Sequence, residues 1–153
     1  MNIILIGPPG AGKGTQGDNL VKDFDLFKIS TGDLLRKEVE KQSDLGIEIK
    51  HIIEQGLLAS DKIINNLIEL ILSNNNYSNR LIFDGYPRNL SQVKSLSKLM
   101  KKYNQKISCV FSLKVDRNTI VKRILGRQVC SRCGLTFNEF FNPSNTNNHV
   151  CDL

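Results

Sequence analysis

The sequence predicts an α/β fold, a parallel sheet flanked by helices, on three observations. An apolar run, Ile3-Ile4-Leu5-Ile6, enters a glycine-rich loop and then a helix. Short apolar runs go on alternating with helical periodicity as far as about Gly126, the pattern of a parallel sheet covered on both faces. At 153 residues the chain has the modal length of a single domain.

The elements follow in order. Asn2–Ile6 reads as the first strand and Lys13–Phe24 as the first helix, with a brief second strand over Leu26–Ile29. Ser30-Thr31-Gly32-Asp33 opens a helix running to about Gln42. Asp44 is expected to cap a helix that stops near Gly56, and Ser60 or Asp61 one that reaches Ser73. The polar tract Asn74–Asn79 reads as a loop. Arg80–Asp84 is the third strand, Leu90–Tyr103 a helix and Ile107–Leu113 the fourth strand, before Asp116 caps a helix ending near Gly126. From Val129 to Leu153 the helical period fades, and Asn, Gly and Cys mark a separate small module.

Composition narrows the classes. Hydrophobic residues at 40% and charged residues at 24% fit a globular fold. No apolar run approaches the ~18 residues that cross a membrane, and the start has no signal-peptide pattern, so the expected location is cytoplasmic. The net charge is +6, but 21 basic residues are interspersed with 15 acids. No basic stripe with interleaved aromatics marks a nucleic-acid surface. Small anionic substrates suit this balance, and neither nucleic acid nor membrane is expected as a partner.

Chemistry begins in the loop Gly7-Pro8-Pro9-Gly10-Ala11-Gly12-Lys13-Gly14-Thr15. Between a strand and a helix, its glycines let backbone N–H groups curl inward around a phosphate chain. The helix N-terminus adds its dipole, and Lys13 adds a charge able to reach the β- and γ-phosphates. This predicts a nucleoside triphosphate site. Gly14 stands where a hydroxyl usually follows the lysine, with Thr15 one residue later. Magnesium is therefore expected to be held by phosphates, water and an acid elsewhere. Leu81-Ile82-Phe83-Asp84 supplies that acid at a strand end. Asp84 is expected on a strand adjacent to the first, and Gly85-Tyr86-Pro87-Arg88 is a turn delivering a guanidinium to the same region.

Four motifs in order, Gly7 to Thr15, Ser30 to Arg36, Phe83 to Arg88 with Gln92, and Arg123 with Gly126-Arg127, resemble the adenylate kinases over the whole chain. The resemblance implies a P-loop nucleoside monophosphate kinase fold and the reaction ATP + AMP = 2 ADP, by a monomer using Mg2+ with ATP. It implies a core at 1–29 and 60–125, an AMP-binding insertion at 30–59 and a partial LID at 126–153. Such a transfer needs alignment and positive charge rather than a covalent relay; Lys13, Arg36, Arg88, Arg123 and Arg127 supply charge, with Lys13, Arg88, Arg123 and Asp84 the catalytic set. For ATP the implied residues are Gly10, Ala11, Gly12, Lys13, Gly14, Thr15, Arg123, Arg127, Thr136 and Phe137. Arg123 and Arg127 are expected four apart on one helical face. For AMP they are Thr31, Arg36, Leu57, Leu58, Ala59, Gly85, Tyr86, Pro87, Arg88 and Gln92, whose amide offers adenine a donor and an acceptor together. A pyrimidine nucleoside monophosphate kinase shares the loop and the arginines; a non-catalytic nucleotide- or zinc-binding module is the reading from another class.

The cysteines form a second pattern. Cys130-Ser131-Arg132-Cys133 is a C-x2-C knuckle, and seventeen residues separate Cys133 from Cys151. That is three quarters of a structural zinc motif, with a fourth ligand expected at position 154. A disulfide and an unmetallated hairpin are the alternatives. His149 is a possible makeshift ligand, His51 is expected to be solvated, and Cys109 reads as strand packing. The resemblance implies that the second half of the LID, a fifth strand and a final helix lie beyond Leu153, and little kinase activity is expected of a piece ending there.

Overall fold

The computed structural model describes residues 1–55, 57, 59–144 and 151, which leaves Gly56, Leu58 and His149 outside the described residues. The chain divides into two compact units, one of Met1–Ile6 with Lys13–Ser112, the other of Gly7–Gly12 with Leu113–Leu153.

The first unit is built on four strands: β1 (Asn2–Ile6), β2 (Phe27–Ser30), β3 (Leu81–Asp84) and β4 (Ile107–Ser112). They lie in the order β2-β3-β1-β4, every pair parallel. β1 and β3 are neighbours, with Leu5 opposite Asp84, and β2 pairs with β3 so that Ser30 lies opposite Asp84. The expected adjacency of the first and third strands is therefore present.

The strands alternate which face they load, as period-two side chains must. Ile4, Leu81 and Phe83 pack with Ile68, Leu72, Leu96 and Met100 in one buried cluster. Ile3, Leu5 and Ile82 turn the other way, against Leu20 and Val21. The helices behind these clusters are α1 (Lys13–Phe24), α4 (Asp61–Leu72) and α5 (Leu90–Lys102). Cys109, half-buried on β4, packs beside the second cluster.

Two further helices, α2 (Thr31–Glu40) and α3 (Asp44–Glu54), share a third cluster with α4 through Ile49, Ile63, Leu67, Leu34 and Leu35. Ser60 caps α4 by accepting from the Ile63 N–H, and Asn89 caps α5 by accepting from the Gln92 N–H at 2.8 Å. Ser43, not Asp44, caps α3, accepting from the Gly46 N–H at 3.0 Å. Asp44 instead opens the helix, where a carboxylate favours the positive end. The 74–79 tract holds one turn of 3₁₀ helix, Asn75–Tyr77, started by the Asn74 side chain accepting from Asn76 N–H.

The second unit holds α6 (Arg117–Leu125) and an antiparallel pair, β5 (Arg127–Val129) and β6 (Thr136–Asn138). Asp116 caps α6 by accepting from the Thr119 N–H at 2.8 Å. The helix ends one residue before Gly126, so Arg127 begins a strand and does not share a helical face with Arg123. Gly126 follows the helix at a point where a Cβ would come within 2.6 Å of the Phe140 ring. Its carbonyl accepts from the Glu139 N–H at 2.8 Å, which draws the chain into the hairpin.

Candidate nucleotide site

In the first unit the polar residues gather where β1, β2 and β3 end. Gly14, in the first turn of α1, faces Asp84 so closely that a Cβ on it would lie 3.8 Å from Oδ2. Burial pushes the Asp84 carboxyl above its ordinary range, opposed by the nearby charges of Lys13 and Lys28. Asp33, one turn into α2, goes the other way. Burial alone would raise it, but a hydrogen bond and charge from Arg36, with help from Ser30 and Lys28, bring it below the usual value. One strand end thus holds a reluctant carboxylate beside lysines, an arrangement suited to a divalent cation carried in by phosphate and water rather than to an all-protein cage.

The turn after β3 is tightly built. Gly85 adopts φ 74°, a left-handed conformation that favours glycine, and a Cβ would press to 3.3 Å from the Arg88 guanidinium. Tyr86–Pro87 is a cis peptide. Arg88 folds back, donating through Nε to the Gly85 carbonyl at 2.6 Å and through Nη2 to Thr31 Oγ1 at 3.2 Å. Tyr86 is buried and donates its hydroxyl to Asn65 at 2.7 Å. Burial, then the charge of Asp61, pushes its phenol up to about 12.

Gln92 is 4% exposed. Its Oε1 accepts from the Arg88 N–H at 2.7 Å, and its Nε2 donates to Asp61 at 2.6 Å. Each end of the amide keeps one further bonding direction. In the sequence Asp61 is a candidate cap of α4, and nothing local distinguishes a cap from a group that orients an amide thirty-one residues on. Arg36 pairs with Asp33 at the surface. Leu57 is exposed, and Ala59 packs on the third cluster; Leu58 lies outside the described residues.

The second unit contains the glycine-rich loop. Gly10 and Gly12 take φ of 78° and 93°, conformations that L side chains resist. Ala11 N–H closes a turn onto the Pro8 carbonyl at 3.1 Å. Arg123 Nη1 donates to the Gly10 carbonyl at 3.2 Å, and its guanidinium stands 5.3 Å above the Phe141 ring. A cation from α6 is therefore already fastened to the loop. In the hairpin, exposed Thr136 lies opposite Val129, and half-buried Phe137 lies opposite Gln128. The cavity between Phe137, Cys130 and Cys151 measures about 200 Å³, too small for a nucleotide by the usual range of ligand pockets.

The three knuckle cysteines do come together. Cys133 and Cys151 place their sulfurs 3.3 Å apart, and all three Sγ atoms lie within 4.8 Å of one another. Tetrahedral zinc with bonds of ~2.3 Å sets sulfurs about 3.8 Å apart, so the cluster brackets the required spacing. Gly134, at φ 75°, turns the knuckle, whose N–H reaches the Cys130 carbonyl at 2.9 Å. Backbone N–H groups of Cys133 and Arg132, then the Cys133 thiol, hold the Cys130 thiol down at about 7. That favours the thiolate a metal needs. His51 is exposed on α3.

A parallel sheet whose first strand runs into a glycine loop and a lysine-headed helix, with an acid closing the neighbouring strand, defines a P-loop kinase fold of the nucleoside monophosphate type. A family model described as adenylate kinase matches residues 5–151. The adenylate kinase of Pelagibacter ubique is 48% identical over 153 residues, all of this chain and 72% of that protein. That of Zymomonas mobilis is 42% identical over 153 residues, covering 68% of its length. That of Bacillus velezensis is 38% identical over 152 residues, 99% of this chain and 70% of the relative. The chain belongs to the adenylate kinase family.

Proposed function

We propose that the protein, as the complete chain, catalyses reversible phosphoryl transfer between ATP and AMP, giving two molecules of ADP. The observation that carries this is the sheet edge of the first unit, where Lys13, Asp84 and the Thr31–Arg88–Gln92 turn stand together in a chain of this family. The pyrimidine kinase and non-catalytic readings are not favoured, since the relatives are named adenylate kinases.

The roles follow from residue chemistry. Gly10, Ala11, Gly12, Gly14 and Thr15 wrap the ATP phosphates with backbone N–H groups, and Lys13 holds the oxygens whose charge grows as the bond loosens. Arg123, fastened to the Gly10 carbonyl, adds a second cation to that phosphate chain. Arg127, Thr136 and Phe137 cover ATP's ribose and base. Thr31, Arg36, Arg88 and Gln92, with the backbone of Leu57 to Ala59 and Gly85 to Pro87, hold AMP. The Arg88 guanidinium suits a phosphate because its planar fork matches two oxygens at once. Asp84, at the end of β3 beside Lys13 and Lys28, would be the carboxylate that orients the water shell of an Mg2+ arriving with ATP, and that ion would supply charge neutralisation during transfer. No residue needs to form a bond with the phosphoryl group. The domain reading is a core of 1–29 and 60–125, an AMP-binding segment at 30–59 and a LID segment at 126–153.

Cys130, Cys133 and Cys151 would hold a structural zinc, the metal that suits clustered thiolates. It would stabilise a hairpin with little core of its own. No described helix is long and apolar enough to cross a membrane. A cytoplasmic monomer acting on free nucleotides, without nucleic acid or membrane as partner, completes the reading; the mixing of 15 acids among 21 bases supports it.

Substrate identity is tested with ATP as donor and AMP, GMP, CMP or UMP as acceptor, following ADP. AMP should exceed the others by at least ~10²-fold in kcat/KM, within what a hydrogen-bonding site achieves. Comparable turnover of CMP or UMP would transfer the assignment to the pyrimidine enzymes.

A further inference from the structure

We propose that Lys28 is a positioning residue for the transfer, clamping the first turn of α1, which begins at Lys13, from strand β2. It resides on the face of β2 that turns toward α1. Its register partner is Ile82, and its neighbours on that face, Leu5, Leu26 and Ile82, are buried and apolar. An aliphatic residue would serve packing there.

Instead the chain places an ammonium, with the side chain only 20% exposed. Nζ donates to the carbonyl of Gly14 at 3.4 Å and forms an ion pair with Asp18. The seat is shaped for it. Gly17 is buried in α1, and a Cβ there would come within 2.9 Å of Lys28 Cδ and 3.7 Å of Cγ. The butyl stem therefore crosses α1 where one glycine leaves room, and the head meets two groups one turn apart on the same face, the Gly14 carbonyl and the Asp18 carboxylate.

Stability does not account for this arrangement. Asp18 is 59% exposed, and pairs of that kind contribute little, while tucking an ammonium onto an apolar face carries a desolvation cost. The contacts do have a mechanical consequence. Gly14 is the residue after Lys13, and it is also the residue that faces Asp84. Fixing its carbonyl fixes the direction in which the helix presents Lys13 and its distance from the acid. The charge of Lys28 also reaches Asp84 and Asp33, so its head lies among the groups of the site. A small misplacement of a transition-state contact can cost as much as ~10²-fold in rate, and it acts on turnover more than on binding.

The proposal rests on the kinase reading, and its test separates the two. Lys28→Met keeps the apolar stem over Gly17 and removes the ammonium. In the full chain it should lower kcat about tenfold and leave KM for ATP and AMP within about twofold. Tm should be unchanged or higher. Lys28→Arg, able to reach the same carbonyl and carboxylate, should recover most of the lost turnover. Amide hydrogen exchange over Gly14 to Asp18 should quicken in Lys28→Met with the rest of α1 unaltered, a readout that needs no catalysis. Wild-type protein that forms no ADP would overturn the kinase reading, leaving the clamp to be judged by exchange. Unchanged exchange in Lys28→Met would overturn the clamp. So would wild-type kcat in that variant, or a loss of kcat explained by a lowered Tm.

Discussion

Arg88 offers the sharpest test of the AMP site, because the structure shows how much of its hydrogen-bonding capacity is already used. A guanidinium has five N–H groups. Nε is taken by the Gly85 carbonyl and one hydrogen of Nη2 by Thr31 Oγ1. Three N–H groups remain, two on Nη1 and one on Nη2, enough to offer a two-donor edge of the fork. That edge matches two phosphate oxygens. A hydrogen bond to a charged group is worth about 1.5–3 kcal/mol, and each 1.4 kcal/mol is tenfold. Arg88→Ala should therefore raise KM for AMP by roughly 10- to 10²-fold, with KM for ATP little changed. kcat should fall as well, because charge grows on the transferred group. Arg88→Lys should recover only part, since an ammonium cannot hold Gly85, Thr31 and a two-oxygen contact together. Thr31→Val should cost only a few-fold, the value of one neutral hydrogen bond. A coupled assay of ADP formation, with AMP binding by calorimetry, measures each value. Wild-type KM for AMP in Arg88→Ala would refute the reasoning, and so would equal losses in AMP and ATP affinity.

Lys13→Ala should lower turnover by roughly 10²–10³-fold, as for loss of one preorganised donor, with circular dichroism unchanged; near-normal turnover would make the loop a structural turn. Asp84→Asn should lower turnover yet raise Tm at neutral pH. Burial lifts the folded-state carboxyl above its ordinary value, so the folded chain holds the proton more tightly, and stability falls as pH rises through that range. A Tm for Asp84→Asn equal to or below wild type would contradict this. The chain should bind zinc through Cys130, Cys133 and Cys151, so metal analysis should find zinc in protein purified without chelators, and chelation should lower Tm; Cys133→Ser should remove both effects. A chain that is metal-free and indifferent to chelation would leave the cysteine cluster without a metal.

The elements near the site were legible because each is announced locally. Apolar runs ending in Gly7 or Asp84 mark strand ends, and Ser60 and Asp116 mark helix starts; these need no knowledge of distant residues. The misread features are those decided across the fold. Asp44 resembles a cap as well as Ser43 does, and only the geometry of the preceding turn selects the serine. Arg127 carries helical spacing from Arg123, but α6 ends at Leu125 and Arg127 opens the strand β5, whose partner β6 (Thr136–Asn138) lies further along the chain. Gln92 is not among the misread features: it reads as an amide able to meet a base, and what the sequence leaves out is that Asp61 and the Arg88 N–H orient it from segments no local pattern connects. For Gln92 to read adenine it must use its remaining N–H and lone pair, so Asp61 acts as the orienting group that fixes which edge of the amide is offered.

The two ends of the same strands show why the site lies where it does. At the start of β1, Asn2 is fully buried, and its side chain accepts from the Leu81 N–H at 3.1 Å. It donates to Gln105 Oε1 and the Lys106 carbonyl, both at 3.1 Å, and Gln105 Oε1 accepts in turn from the Asn79 N–H. Every member is neutral and partnered, which is how a buried polar network adds order without an ionic desolvation cost. At the other end β3 finishes in Asp84, whose charged form burial disfavours, and Lys28, two residues before β2 ends at Ser30, sets an ammonium on an apolar face. An acid and two lysines at one sheet edge are then available to a ligand that brings compensating phosphate charge and metal with it.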